Sequence, residues 1–184
     1  MILPIFAYGQ PVLKKQALPV DDSYEGLQQL ISDMWDTMYH AEGVGLAAPQ
    51  IGRSIRMFMV DTKQVMDDGE KDKGIKKVFI NAEIVEESGK LWTYEEGCLS
   101  IPNIRGDVER LDSLTIKYFD EDFVEHIDTF DGINARVVQH EYDHIEGKLF
   151  TEKLKPLKRK LIKRKLEAIR KGNVKADYRL KFAL

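Results

Sequence analysis

The chain has 184 residues, 43% of them hydrophobic, a length and composition that suit one compact domain with a sizeable core and leave no room for a second full domain. It carries 28 basic and 31 acidic side chains, a formal net charge of −3, and no stretch approaches the roughly 18 uninterrupted apolar residues of a membrane span. Its single cysteine, Cys98, excludes an intrachain disulfide framework.

In chain order, the opening MILPIFAYGQPVLKK is apolar, but no basic residue precedes its short hydrophobic run and Pro4 interrupts it. It does not read as a signal peptide, and a soluble, cytoplasmic protein is expected. In DDSYEGLQQLISDMWDTMYHAEG, Asp22 and Glu25 form a capping-box pattern, and Leu27, Leu30, Ile31, Met34, Trp35 and Met38 fall at helical spacing. The pattern predicts a helix from about Ser23 to His40. GVGLAAPQIG follows, and then IRMFMVD, KVFINAEIV, LTIKYFD and FVEHIDT, runs rich in β-branched and aromatic residues that read as strands. The polar KQVMDDGEKDKGIKK between the first two is a surface loop. From about Gly132 the pattern turns helical again, with Gly147 as its stop. Last comes KPLKRKLIKRKLEAIRKG, where Pro156 suits the first turn of a helix and Leu157, Leu161, Ile162 and Ile169 mark an apolar side.

Charge is distributed unevenly along these elements. Residues 1–151 carry 15 basic and 28 acidic side chains, a net −13, whereas residues 152–184 carry 13 and 3, a net +10. Such asymmetry marks either a contact with nucleic acid or another acidic surface, or a solvated basic helix.

The stretch VVQHEYDH, Val137 to His144, holds the chemistry-bearing motif. A helix turns about 100° per residue, so His140 and His144 project from one face with Glu141 a short rotation away. Two imidazoles can then bind one metal, leaving the carboxylate beside a metal-bound water as a general base. A catalytic site of this kind needs three protein ligands and one open position. The extended motif HExxHxxGxxH would supply a third histidine, and Gly147 fits it, but the last position is Phe150. Downstream glutamates at 152 and 167 are a second route. Cys98, whose thiolate would complete a Cys/His/His set, is a third.

Three segments in order, Gly43-Val44-Gly45-Leu46-Ala47-Ala48-Pro49-Gln50, Glu96-Gly97-Cys98-Leu99-Ser100 and Gln139-His140-Glu141-Tyr142-Asp143-His144, make the chain resemble the peptide deformylases, hydrolases that remove the formyl group from the amino termini of new proteins. The likeness runs from ILPIFAYGQPVL through Lys148-Leu149-Phe150, and the basic tail is less diagnostic. The resemblance implies an α+β single domain over residues 1–184, with antiparallel strands around a central HExxH helix, an additional amino-terminal helix, and a basic carboxyl-terminal helix and tail at about 152–184.

It also implies that Cys98, His140 and His144 hold one divalent metal, that Glu141 moves the proton, and that Gln50 and the Leu99 backbone N–H stabilise the developing oxyanion. Gly43, Val44, Gly45, Glu96, Gly97, Ile133 and Val137 are the implied substrate-binding residues, with Val44, Ile133 and Val137 around the methionine side chain. Arg105 either contacts the substrate backbone or holds its own loop. The donor set suits zinc, iron, nickel or cobalt, and the resemblance favours Fe(II) as the working ion. Expected partners are N-formylmethionyl nascent peptides and, through the basic helix, the ribosome; no membrane contact is expected, and the chain is expected to be a monomer. A metallopeptidase cleaving internal bonds and an RNA-binding module with a structural metal are the competing functions, which formate release separates from the first.

Overall fold

The structure, a computed structural model, describes residues 1–183. Its framework is a five-stranded antiparallel meander: β2 (Gly45–Ala47), β3 (Met57–Asp61), β4 (Lys76–Cys98), β5 (Ile101–Phe119) and β6 (Glu125–Asp131) pair in that order. The hydrophobic runs foreseen as four strands all lie in it. However, β4 and β5 extend well beyond those runs and pair from Ile80 with Phe119 to Cys98 with Ile101, interrupted by register shifts. Each shift bends and twists a ladder locally. The hairpin ends in the tight turn Cys98-Leu99-Ser100-Ile101, so the cysteine sits at its tip.

Helix α2 (Gly132–Ile145) packs against β2, β3, β5 and β6. A helix that touches both edge strands of one sheet requires that sheet to curl around it. Burial of α2 extends round its circumference, taking in Ala135, Arg136, Val138, Gln139, His140, Glu141 and His144, as befits a helix inside a fold and not on its surface. Val138 and Ile145 join a cluster with Phe58, Phe79, Leu114, Ile116 and Tyr118. Phe79 stacks on Phe58 with centroids 4.7 Å apart, which fixes the backs of β3 and β4 under the helix. Gly147, at φ +70°, follows the helix end, as foreseen.

Helix α1 spans Leu27–His40, four residues shorter than the expected 23–40. Gly26 sits before it in the left-handed region, φ +74°, where helix cannot propagate, and no side chain caps it. The Asp22/Glu25 capping box does not form; Asp21 instead accepts the Ser23 amide in a local turn. The apolar stripe behaves as foreseen, with Leu27, Ile31, Met34 and Met38 buried against Leu46, Met57 and Met59.

Helix α3 spans Pro156–Arg170 with Pro156 in its first turn. Its buried seam is Ile162 and Ile169, with Leu166 packed beside them, against Ile104, Val108 and Phe150. Leu157 and Leu161, expected on that side, are instead 70% and 68% exposed. The seam follows 162, 166 and 169, and a helix advancing about 100° per residue turns 157 and 161 away from it. Beyond α3 the chain returns as β7 (Leu180–Lys181), which pairs in parallel with β1 (Ile5–Phe6). The two ends of the domain are thereby joined. Among the described residues no helix is long and apolar enough to cross a membrane.

Candidate metal centre

The helical spacing of His140 and His144 delivers two imidazoles to one side of α2, and the tip of the β4–β5 hairpin delivers Cys98 to the same point. Their ligand atoms all lie within 4.8 Å of one another, and Cys98 Sγ is 3.4 Å from His144 Nε2. Metal bonds of roughly 2.3 Å to sulfur and 2.0–2.1 Å to nitrogen in a tetrahedron imply an edge of about 3.5 Å. The residues therefore fit a single ion. The other candidates for the third ligand lie elsewhere: Glu152 accepts the Leu149 amide and pairs with Lys14, and Glu167 pairs with Arg170 on α3; Phe150, where the extended motif would need a histidine, packs its ring 6.0 Å from that of His140.

The histidines are oriented by different means. His140 Nδ1 lies 2.8 Å from Glu96 Oε1; an ionised carboxylate only accepts, so Nδ1 carries the proton and Nε2 keeps its lone pair for a ligand role. Glu96 also accepts from Arg110 through both oxygens, at 2.8 and 3.0 Å, and from Arg136 at 2.8 Å. Arg110 continues to Asp143 at 2.9 Å. Burial alone would raise the Glu96 pKa, but the hydrogen bonds from His140 and Arg110 outweigh it and hold the carboxyl well below its ordinary range. His144 lacks a comparable carboxylate on Nδ1, and burial pushes its pKa well down.

Glu141 is 4% exposed, and its Oε2 has no hydrogen-bond partner among the described residues. Burial pushes its pKa up to about 7. Gly45 makes room for it: a Cβ there would come within 2.5 Å of Glu141 Oε1, so any side chain would displace the carboxylate. Gln50 is fixed at its oxygen, which accepts the Ala47 amide at 2.8 Å. Its Nε2 is thereby aimed at Cys98 Sγ, 3.5 Å away, and Ser100 Oγ, 3.3 Å away.

A cavity of about 600 Å³ opens onto these groups. Gly43, Val44, Gly45, Gln50, Glu96, Gly97, Cys98, Leu99, Ile133, Val137, His140 and Glu141 all border it, and His144 lies behind the other donors at 1% exposure. Glu96 borders the cavity as expected of a substrate-binding residue, and its carboxylate in addition holds His140 and two guanidinium groups. Arg105, on β5, donates to the Glu95 carboxylate and carbonyl on the neighbouring β4 and also borders the cavity. Reading the sequence missed Arg110, Arg136 and Tyr178. Only Arg136 left a local signal, lying one helical turn before His140, whereas the other two arrive from remote parts of the chain.

A Cys/His/His donor set with a buried carboxylate beside it, on a helix wrapped by an antiparallel sheet, defines a metallohydrolase with a single metal site. The sequence pattern described as polypeptide deformylase matches residues 2–160, and the chain belongs to that family. It is 54% identical over 189 residues to the peptide deformylase of Christiangramia forsetii, covering 99% of this chain and 96% of that one. It is 53% identical over 184 residues to that of Cytophaga hutchinsonii, covering 100% and 99%. Its fold is similar to the crystal structure of a peptide deformylase from Legionella pneumophila, with a TM-score of 0.81 at 42% identity over 93% of this chain and 96% of that one. The Thermus thermophilus enzyme gives 0.82 at 36% identity, covering 94% and 99%.

Proposed function

We propose that this chain hydrolyses the formyl amide of N-formylmethionyl peptides, the reaction of its family, with Cys98, His140 and His144 holding one divalent metal and Glu141 handling the proton. The observation that carries the residue assignment is the convergence of three ligand atoms beside a buried carboxylate oxygen without a partner. When bound, the ion lowers the pKa of a coordinated water and polarises the formyl oxygen. Glu141 Oε2 takes a proton from the attacking water and returns it to the amine nitrogen as the C–N bond breaks. Gln50 Nε2 and the Leu99 N–H donate to the formyl oxygen as negative charge develops on it, a role for Gln50 that the Ala47 contact fixing its oxygen supports.

Val44, Ile133 and Val137 form the apolar surface for the methionine side chain, while the backbone at Gly43–Gly45 and Glu96–Gly97 runs beside the extended peptide. Recognition through backbone groups leaves later side chains free to vary. The working ion is Fe(II); the same donors accept zinc, nickel or cobalt. The nascent-chain substrate puts the enzyme in the cytoplasm, acting as a monomer, with α3 as its contact to ribosomal RNA.

Formate release from a formylmethionyl peptide, measured anaerobically beside metal content, tests the reaction. Glu141→Ala should keep stoichiometric metal and lose turnover by about 10²- to 10⁴-fold, the range for a general base. Wild-type turnover in that variant would remove Glu141 from the mechanism. New amino termini from internal cleavage, without formate, would replace deformylation by peptidase activity.

A further inference from the structure

The turn that carries Cys98 and Leu99 has little support of its own. The ladder shifts register between Gly97 and Cys98, and the pair Cys98–Ile101 closes the hairpin directly after it. Support comes from outside. Gln50 reaches Cys98 and Ser100, the Tyr8 amide donates to the Ser100 carbonyl at 2.8 Å, and the Tyr178 hydroxyl donates to the Leu99 carbonyl at 2.7 Å. Tyr178 comes from the tail after α3, beyond the stretch that defines the family. Residues 175–178 border the same cavity as the metal donors.

That tail is held as a strap on both sides of Tyr178. Asn103 Nδ2 donates to the Lys175 carbonyl at 3.0 Å, the Ile5 and Ala7 amides donate to the Arg179 and Lys181 carbonyls at 2.9 Å, and Gln10 Nε2 donates to the Phe182 carbonyl at 2.6 Å. Side chains alternate along it: Val174, Ala176, Tyr178 and Leu180 are half-buried, and Lys175, Asp177 and Arg179 are exposed. The phenol therefore points inward from a segment anchored before and after it.

We propose that Tyr178 is a positioning residue of the reaction: held by the strap, its hydroxyl fixes the Leu99–Ser100 peptide plane through the Leu99 carbonyl and so narrows the rotation, about the Leu99 Cα, of the adjoining Cys98–Leu99 plane whose N–H faces the substrate's oxygen. The inference rests on the role given above to Leu99 as an oxyanion donor. Such a donor acts by being aimed before charge develops, so freedom in the turn lowers turnover more than it weakens ground-state binding. The strap makes the carboxyl-terminal tail a working part of the cleft, with a different task from α3.

Tyr178→Phe keeps the ring and removes one hydrogen bond. At equal metal content, kcat should fall about three- to tenfold with KM nearly unchanged, and hydrogen exchange at the Leu99 and Ser100 amides should accelerate by a similar factor. Asn103→Gly, which removes the bond to the Lys175 carbonyl and keeps the left-handed backbone of position 103 (φ +63°), should have a smaller effect on both. Unchanged kcat per metal, a rise in KM alone, or unchanged exchange at Leu99 would each overturn the proposal. The exchange experiment needs no turnover, so accelerated exchange in a protein that releases no formate would keep Tyr178 as the support of the turn and sink the reading of the reaction instead.

Discussion

Two concentrations of charge in this molecule are built on opposite terms. Around Glu96, the carboxylate and the guanidinium groups of Arg110 and Arg136 are each less than a tenth exposed, and nearly every donor and acceptor is matched at 2.8–3.0 Å. On α3, Lys158, Arg159, Lys160, Lys163, Arg164 and Lys165 stand in solvent, and the helix's one acidic residue, Glu167, pairs with Arg170 and Lys171. Desolvated charges cannot be left alone, so each buried partner depends on the others; solvated charges are screened and nearly independent. The first arrangement fixes geometry, here the ring of His140. The second leaves cations available to an outside partner.

Removing one member of the buried set is the strongest way to break this contrast. Glu96→Ala leaves two guanidinium groups buried without their anion and frees His140 Nδ1. We expect a loss of about 3–5 kcal/mol in unfolding free energy, together with weaker metal retention, because a carboxylate that orients a ligand histidine typically contributes 10- to 100-fold in affinity. Chemical denaturation and metal analysis on one preparation check both. Wild-type stability would mean that the guanidinium groups find water or new acceptors, and the distinction between the two regions would weaken.

Gln50→Leu probes a neutral group in the same buried environment and should act on the reaction with little effect on the fold. If its amide meets charge that exists only in the transition state, kcat falls by about 10²-fold or more with metal content unchanged. A rise in KM with kcat held would reassign Gln50 to uniform substrate binding.

The parts of this design legible in the sequence are those written at short range. His140, Glu141 and His144 could be placed because helical spacing alone puts them together, and the apolar stripes of α1 and α2 show the same periodicity. Cys98 lies 42 positions before His140, and its place among the donors came only with the resemblance of its segment to a family. The long reach of β4 and β5 escaped because Val85–Glu95 is largely exposed and its strand is held by pairing with β5, not by an alternating apolar face. The capping box at the start of α1 was outweighed by Gly26. The second task of Glu96, holding His140, was not legible, since nothing local reveals Arg110, fourteen residues on, or Arg136, forty residues on, as its partners. Tyr178 reaches Leu99, 79 positions back, and the β1–β7 pair joins the two ends of the chain; no window of sequence contains either contact.

The smallest expected effect on the protein itself lies on α3, and it sharpens the comparison from the other side. Reversing Arg159, Lys160, Lys163 and Arg170 to glutamate replaces exposed cations and breaks one surface pair, Arg170 with Glu167. Exposed pairs of this kind contribute about 0–1 kcal/mol, while the docking seam of Ile162, Leu166 and Ile169 is untouched. Deformylation of a short free peptide should therefore barely change. Binding to ribosomes should respond strongly, since each phosphate contact made by a cation releases counterions and steepens the salt dependence of affinity. If α3 contacts ribosomal RNA as proposed, co-sedimentation of the variant should fall most at low salt, where phosphate contacts contribute most, and the two proteins should converge as salt rises. Leu157 and Leu161, exposed among these cations, give a second handle: if they add apolar contact, Leu161→Ser should weaken binding by a factor that salt does not alter. Equal co-sedimentation of wild type and the charge-reversed protein at every salt concentration would leave α3 as a solvated face whose charges serve solubility alone.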